Sequence, residues 1–174
     1  MRALKENMLP RWIALALLAG AALGTSAQLL PADPDWKELD APPPPALRTT
    51  GLIPLEVPGS SLRFGIDPAS VAIGPDRVIR YVVVATSTSG AVNGMYEGLR
   101  CNTGEVRIFA RHNPDSGWVA ATNSEWQPLQ SLPNSRYSLL VARNGACLGH
   151  APNDSAAQIV RDLRSGVDRR FEKY

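Results

Sequence analysis

Apolar and polar positions alternate most densely between Ile79 and His112, in IRYVVVATSTSGAVNGMYEGLRCNTGEVRIFARH. A stretch this rich in β-branched and aromatic residues predicts three consecutive antiparallel strands. They run from Ile79 to Thr86, from Val92 to Cys101 and from Val106 to Arg111. Ser87-Thr88-Ser89-Gly90 turns the chain once, and Asn102-Thr103-Gly104 turns it again. With Cys101 opposite Val106, Leu99 faces Ile108. Met95 then shares that side with Ile79, Tyr81, Val83 and Ala85. This register gives one coherent apolar face, which a one-residue slip would destroy.

The pattern on either side is more broken. Ser61 to Ile66 alternates and ends at Asp67-Pro68, predicting a short strand and a turn. Gly74-Pro75-Asp76 is a second turn. His112 to Gly117 is a third, before a short fourth strand at Trp118-Val119. Asn134 or Ser135 can cap a helix that continues through Arg143 and ends at Gly145. The alternative is a strand, because Tyr137 to Ala142 is apolar without a clear period. In the last helix Ser155-x-x-Gln158 reads as a capping box, and Ala156, Ile159, Val160 and Leu163 form one apolar stripe closed by Gly166. The whole predicts an α+β fold. An antiparallel sheet of four to five strands packs against one or two C-terminal helices.

The N-terminal part departs from this pattern. Arg2, Lys5 and Arg11 precede an apolar run from Trp12 to Leu23, and small residues follow up to Ala27. That order predicts a signal peptide over residues 1–27, cleaved after Ala27. An uncleaved anchor is the alternative. No cysteine stands there, so no lipid anchor is expected. Residues 28–58 hold Pro31, Pro34, Pro42-Pro43-Pro44-Pro45, Pro54 and Pro58. Such density forbids a helix and favours an extended polyproline II strap. Trp36 within it should pack on the domain or bind something. The domain proper spans residues 59–166, and residues 167–174 are a charged tail.

With 174 residues, 44% hydrophobic and 20% charged, the chain can bury one real core. A net charge of +2 without a dense Lys/Arg cluster does not point to nucleic acid. Export gives the two cysteines a meaning. In an oxidising compartment Cys101 and Cys147 read as a disulfide. Its 46-residue separation corresponds to about 4 kcal/mol by chain entropy. A reactive thiol is the weaker reading, for want of a CxxC or a helix N-terminus.

Two features could carry chemistry. The first is Glu97, which the register places on the apolar face near Tyr81 and Ala110. A hydrogen bond from Tyr81 or an arginine partner would make it a core-fixing group. In a pocket it would instead be a functional carboxylate. The second is the opposite face, with Arg80, Tyr96, Arg100, Arg107, Phe109 and Arg111 as ligand-binding candidates. Arginine forks beside aromatic rings suit an anionic or glycan ligand, and Gly94 and Gly98 leave room for one. Val82 and Val84 share this face, so partial cover by a helix is expected. Trp118 and Trp126 are expected to fill a core. No nucleotide-binding, zinc-protease, serine-hydrolase or EF-hand spacing occurs. His112 and His150 lack metal-ligand neighbours, so no metal and no cofactor are expected. A Cys101/His112 dyad would compete with the disulfide.

Several segments together resemble the cryptic neisserial protein family. They are Trp36-Lys37-Glu38 with its proline run, Gly59 to Pro68, Ile79 to Val84, Ser89 to Asn93, Tyr96 to Cys101, Trp118, Trp126 and Gly145-Ala146-Cys147. The resemblance implies an exported envelope protein of Gram-negative bacteria and carries over no catalytic residue. The expectation is therefore a non-catalytic periplasmic binding or accessory module of the cell envelope, whose partner is a protein or an anionic or glycan ligand. One alternative is a cell-wall hydrolase with Glu97 as acid and Glu105 or Glu125 as its second carboxylate. Another is a structural subunit that docks through its proline-rich strap.

Overall fold

A computed structural model describes residues 35–122, 124–130 and 136–166. The expected signal peptide, the helix caps at Asn134 or Ser135, and the charged tail lie outside the described residues. The described residues form ten strands and two α-helices. They are β1 (Ile53–Leu55), β2 (Arg63–Ile66), β3 (Ala72–Ile73), β4 (Ile79–Thr86), β5 (Val92–Arg100), β6 (Glu105–Asn113), β7 (Gly117–Ala120), β8 (Gln127–Pro128), α1 (Arg136–Val141), β9 (Cys147–Leu148), β10 (Ala151–Pro152) and α2 (Ala156–Ser165). The main sheet has eight strands in the order β1-β2-β4-β5-β6-β7, with β3 against β4 and β8 against β6. The three strands of the dense alternation are its centre. The strands beyond the expected four or five are short pieces, such as Ile53–Leu55 and Gln127–Pro128, that run too few residues to show a period. The α+β architecture is the expected one.

β4 is buried along all but its last residue. A strand covered on both faces reads as a continuous apolar run, as VVV within it does. One face, with Ile79, Tyr81, Val83, Leu99 and Val106, packs against Tyr137 and Val141 of α1 and Ile159 and Leu163 of α2. Tyr137 stacks on Phe64 with ring centroids 4.8 Å apart. Both helices sit on this face. α1 runs on into a looser π-type turn, Ala142–Ala146, where Gly145 adopts φ 131°.

The β5–β6 register differs from expectation. Leu99 lies opposite Val106, and Arg100 opposite Glu105. The loop is Cys101 to Gly104, closed by Gly104 at φ 66° and by its N–H to the Arg100 carbonyl. The expected pairing would have put Glu105 where the left-handed residue belongs, and glycine takes that conformation without a Cβ penalty. A shift of this parity leaves the faces unchanged. A bulge then follows: Glu97 pairs with Ile108, but Tyr96 pairs with Ala110. The extra residue reverses the parity of the rest of β6. Ala110 therefore joins Val82, Val84 and Tyr96, while Arg111 pairs with Met95 on the helix side.

The second face is covered by the strap, not by a helix. Along residues 38–47 the half-buried positions are Glu38, Ala41, Pro44 and Leu47, with exposed residues between. A period of three is that of a polyproline II helix laying one ridge on the sheet. Ala41, Leu47 and Leu52 pack against Val82, Val84, Tyr96 and Ala110. The room at the glycines is taken from within: a Cβ on Gly94 would meet Leu47 at 2.6 Å, and one on Gly98 would meet Phe109 at 2.5 Å.

Candidate binding surface

The face that carries the arginines is a tied joint between strap and sheet. Asp76, in the turn before β4, forms a buried pair with Arg80, whose Nη2 donates to Oδ2 at 2.6 Å. The same carboxylate accepts from the N–H of Leu39 at 3.2 Å and of Val78 at 3.2 Å, and Arg80 donates to the Leu39 carbonyl. Burial opposes the charge on Asp76. The Arg80 hydrogen bond, then the two backbone N–H groups, outweigh it and hold the carboxyl below its usual range. Gly74 lets the pair approach, because a Cβ there would meet Asp76 at 2.3 Å and Arg80 at 2.4 Å.

Further along, Glu38 of the strap accepts from Arg107 at 2.7 Å and from the Trp126 indole at 3.1 Å. Trp36 donates to the Asp76 carbonyl at 2.9 Å. The Arg100 guanidinium lies over the Trp36 ring, 3.7 Å from its centroid, and also pairs with Glu105 at 3.2 Å. Trp118 donates to the Pro45 carbonyl at 2.7 Å. The structure thus brings Arg80, Tyr96, Arg100, Arg107 and Phe109 together beneath the strap. Arg80 and Tyr96 are buried, and Arg100 and Arg107 are engaged by acids and rings of the chain itself. Arg111 does not join them, because the bulge turns it to the helix side, where it is exposed.

Glu97 lies in the helix-side core at 1% exposure. Tyr137 donates to its Oε1 at 2.6 Å, and Tyr81 and Ser138 donate to its Oε2 at 3.0 and 3.1 Å. Burial pushes the carboxyl above its ordinary value, and the three hydroxyls and the Arg111 charge offset part of that. Ala110 is not its neighbour across the ladder, having changed face at the bulge. Glu105 pairs with Arg100 on the strap side, so the two carboxylates stand on opposite faces of the sheet.

Cys101 and Cys147 are disulfide-bonded, with Cα atoms 5.6 Å apart. The bond joins the β5–β6 loop to the β9–β10 hairpin. Beside it opens a cavity of about 220 Å³, lined by Trp36, Asp76, Arg77, Arg100, Cys101, Asn102, His150 and Pro152. Among the described residues that line it the acid is Asp76, which is committed to Arg80 and Leu39. Arg77 and His150 are exposed at the rim. Arg77 holds φ 62° in the Gly74–Arg77 turn, whose closing bond runs from the Arg77 N–H to the Gly74 carbonyl. Arg77 and His150 were not singled out from the sequence as binding residues. Neither the Asp76–Arg80 pair, which joins a turn residue to a strand residue, nor the placing of Arg100 and His150 on one cavity has a local sequence signature.

The fold and the surface define a class: a disulfide-stapled α+β domain whose sheet is covered by helices on one side and by a proline-rich strap on the other. The chain belongs to the CNP1-like family, whose model matches residues 31–164. No curated protein and no solved structure is significantly similar to it.

Proposed function

We propose that the protein is an exported, periplasmic, non-catalytic binding or accessory module of the cell envelope. Its ligand is an anionic group received in the cavity beside the disulfide. The charge balance of that cavity carries the reading. Arg77 and His150 stand at its rim, Arg100 is paired with Glu105, and Asp76 is already neutralised by Arg80. The exposed Arg77 guanidinium, which no acid pairs with among the described residues, favours carboxylate, phosphate or acidic glycan. Support for export comes from the Cys101–Cys147 bond, since such a pair persists in oxidising compartments. The hydrolase alternative has less support, because Glu97 is sealed in the core and Glu105 projects from the other face of the sheet.

The test is calorimetric titration of the full chain with acidic disaccharides and with short peptides bearing a free C-terminal carboxylate. Binding should fall about tenfold in Arg77→Asn, which keeps the left-handed backbone accessible, and again in His150→Ala. Equal binding by wild type and both variants would refute the cavity as the site. Thiol labelling of the periplasmic fraction tests export: the intact protein should expose no free thiol until reduced.

A further inference from the structure

Arg77 belongs to two hollows. One is the cavity beside the disulfide. The other, of about 460 Å³, is lined by Ile73, Arg77, Pro152, Asp154 and Ala156 among others. Arg77 and Pro152 line both, so the two meet across these residues as one groove. The chain order explains the meeting. The turn that ends at Arg77 follows β3, and Asp154 lies in the connection from β10 to α2. Buried Asn153 fixes that connection: its side chain donates to the Gly145 carbonyl and to Asp162, and its Oδ1 accepts the Asp154 N–H at 2.7 Å.

Arg77 and Asp154 are both exposed and carry opposite charges in the same hollow, yet no ion pair joins them. Among the described residues neither side chain has an ion-pair or hydrogen-bond partner. Ile73, Pro152 and Ala156 add half-buried apolar surface. We propose that the groove takes a short zwitterionic peptide, with its carboxylate on Arg77 and its ammonium group on Asp154. This rests on the reading that the cavity beside the disulfide receives an anionic group, and it selects among the ligands that reading allows. A phosphate or an acidic glycan that filled both hollows would bring negative charge against Asp154, which costs affinity. A peptide with free termini answers both charges and lays an apolar body on the lining between the two. A single carboxylate suits an ammonium group, and among the described residues no three metal-ligating side chains converge. The two charged residues sit on segments already ordered by the Gly74–Arg77 turn and by Asn153, so little backbone freedom is lost on binding.

Trialanine with both termini free, its N-acetyl form and its C-terminal amide are titrated calorimetrically into the full chain. The free peptide should bind about threefold more tightly than the acetylated one, the scale of an exposed ion pair. In Asp154→Asn the two should bind alike, and in Asp154→Glu the preference should return. The amide should bind about tenfold more weakly than the free peptide, and Arg77→Asn should abolish that difference. Asp154 also stands just before the α2 cap, where its charge favours the helix dipole. Thermal melts of the variants separate that effect from binding. Equal affinity for free and acetylated trialanine in the wild type would overturn the proposal, as would a preference that persists in Asp154→Asn. In either case Arg77-dependent binding of the acetylated peptide leaves the cavity reading standing. Binding of none of the three peptides would also overturn the proposal, and the acidic disaccharides then decide the cavity reading by themselves.

Discussion

Two buried carboxylates respond oppositely to pH because their neighbours differ. Asp76 faces a guanidinium and two backbone N–H groups, and its carboxyl is held below the ordinary 3.8. Its stabilisation is present above that value and is lost as pH falls through the lower native one. Glu97 faces hydroxyls within an apolar core, and its carboxyl lies above the ordinary 4.5. The unfolded chain gives up this proton first, so the Glu97 contribution is complete below that value and declines as pH rises through the raised native one. Glu97→Gln should therefore flatten the fall in stability above pH 4.5, measured by urea unfolding across a pH series. Tyr137→Phe removes the shortest bond to Glu97 and should destabilise by about 1–3 kcal/mol. Asp76→Asn leaves Arg80 buried without its charge partner and should cost about 3–5 kcal/mol.

Single elements depend on positions that local propensity does not rank. The α2 stripe was legible: Ile159 and Leu163 are buried, Ala156 and Val160 pack beside them, and Ser155 Oγ accepts the Gln158 N–H at 3.1 Å. The capping box is only half made, because the Gln158 side chain turns forward to Asp162 at 2.7 Å and to Arg161. Ser155→Ala should cost about 1 kcal/mol in a thermal melt. Asp162 lies off the apolar stripe, yet it is buried. Asn153 donates to it at 2.7 Å and also to the Gly145 carbonyl at 2.7 Å, tying α2 to the turn after α1. A Cβ on Gly145 would meet the Asp162 Cβ at 2.3 Å at a φ of 131°. Gly145→Ala should accordingly destabilise by about 1–3 kcal/mol, visible as a lower denaturation midpoint.

At the scale of the molecule, the disulfide and the strap join parts that are distant in sequence. Cys101→Ser/Cys147→Ser should lose about 2–5 kcal/mol, read by denaturant unfolding. The loss should also free the β9–β10 hairpin, and His150 in its turn, from the β5–β6 loop, because that bond joins the two. The strap acts through spacing: Leu47 fills the hollow above Gly94, and Glu38 answers Arg107. Leu47→Asp would place an unpaired charge against Tyr96 and Trp118 and should release the strap, seen as faster limited proteolysis near the proline run.

Local chemistry determined much of this protein. The central strands follow from β-branched alternation, the last helix from its cap and stripe, the extended strap from proline, and the cysteine pair from its isolation. The pairing of Glu97 with Tyr81 was also legible, because both lie in strongly patterned strands joined by a short turn. Tertiary structure decided which face of the sheet each layer covers. Arginines, aromatics and glycines read the same whether a ligand, a helix or the chain's own strap fills the space above them, since all three satisfy the same burial and charge. It also decided where Ala110 and Arg111 point. One extra residue at a bulge reverses side-chain parity, and nothing in the alternation of β6 announces it.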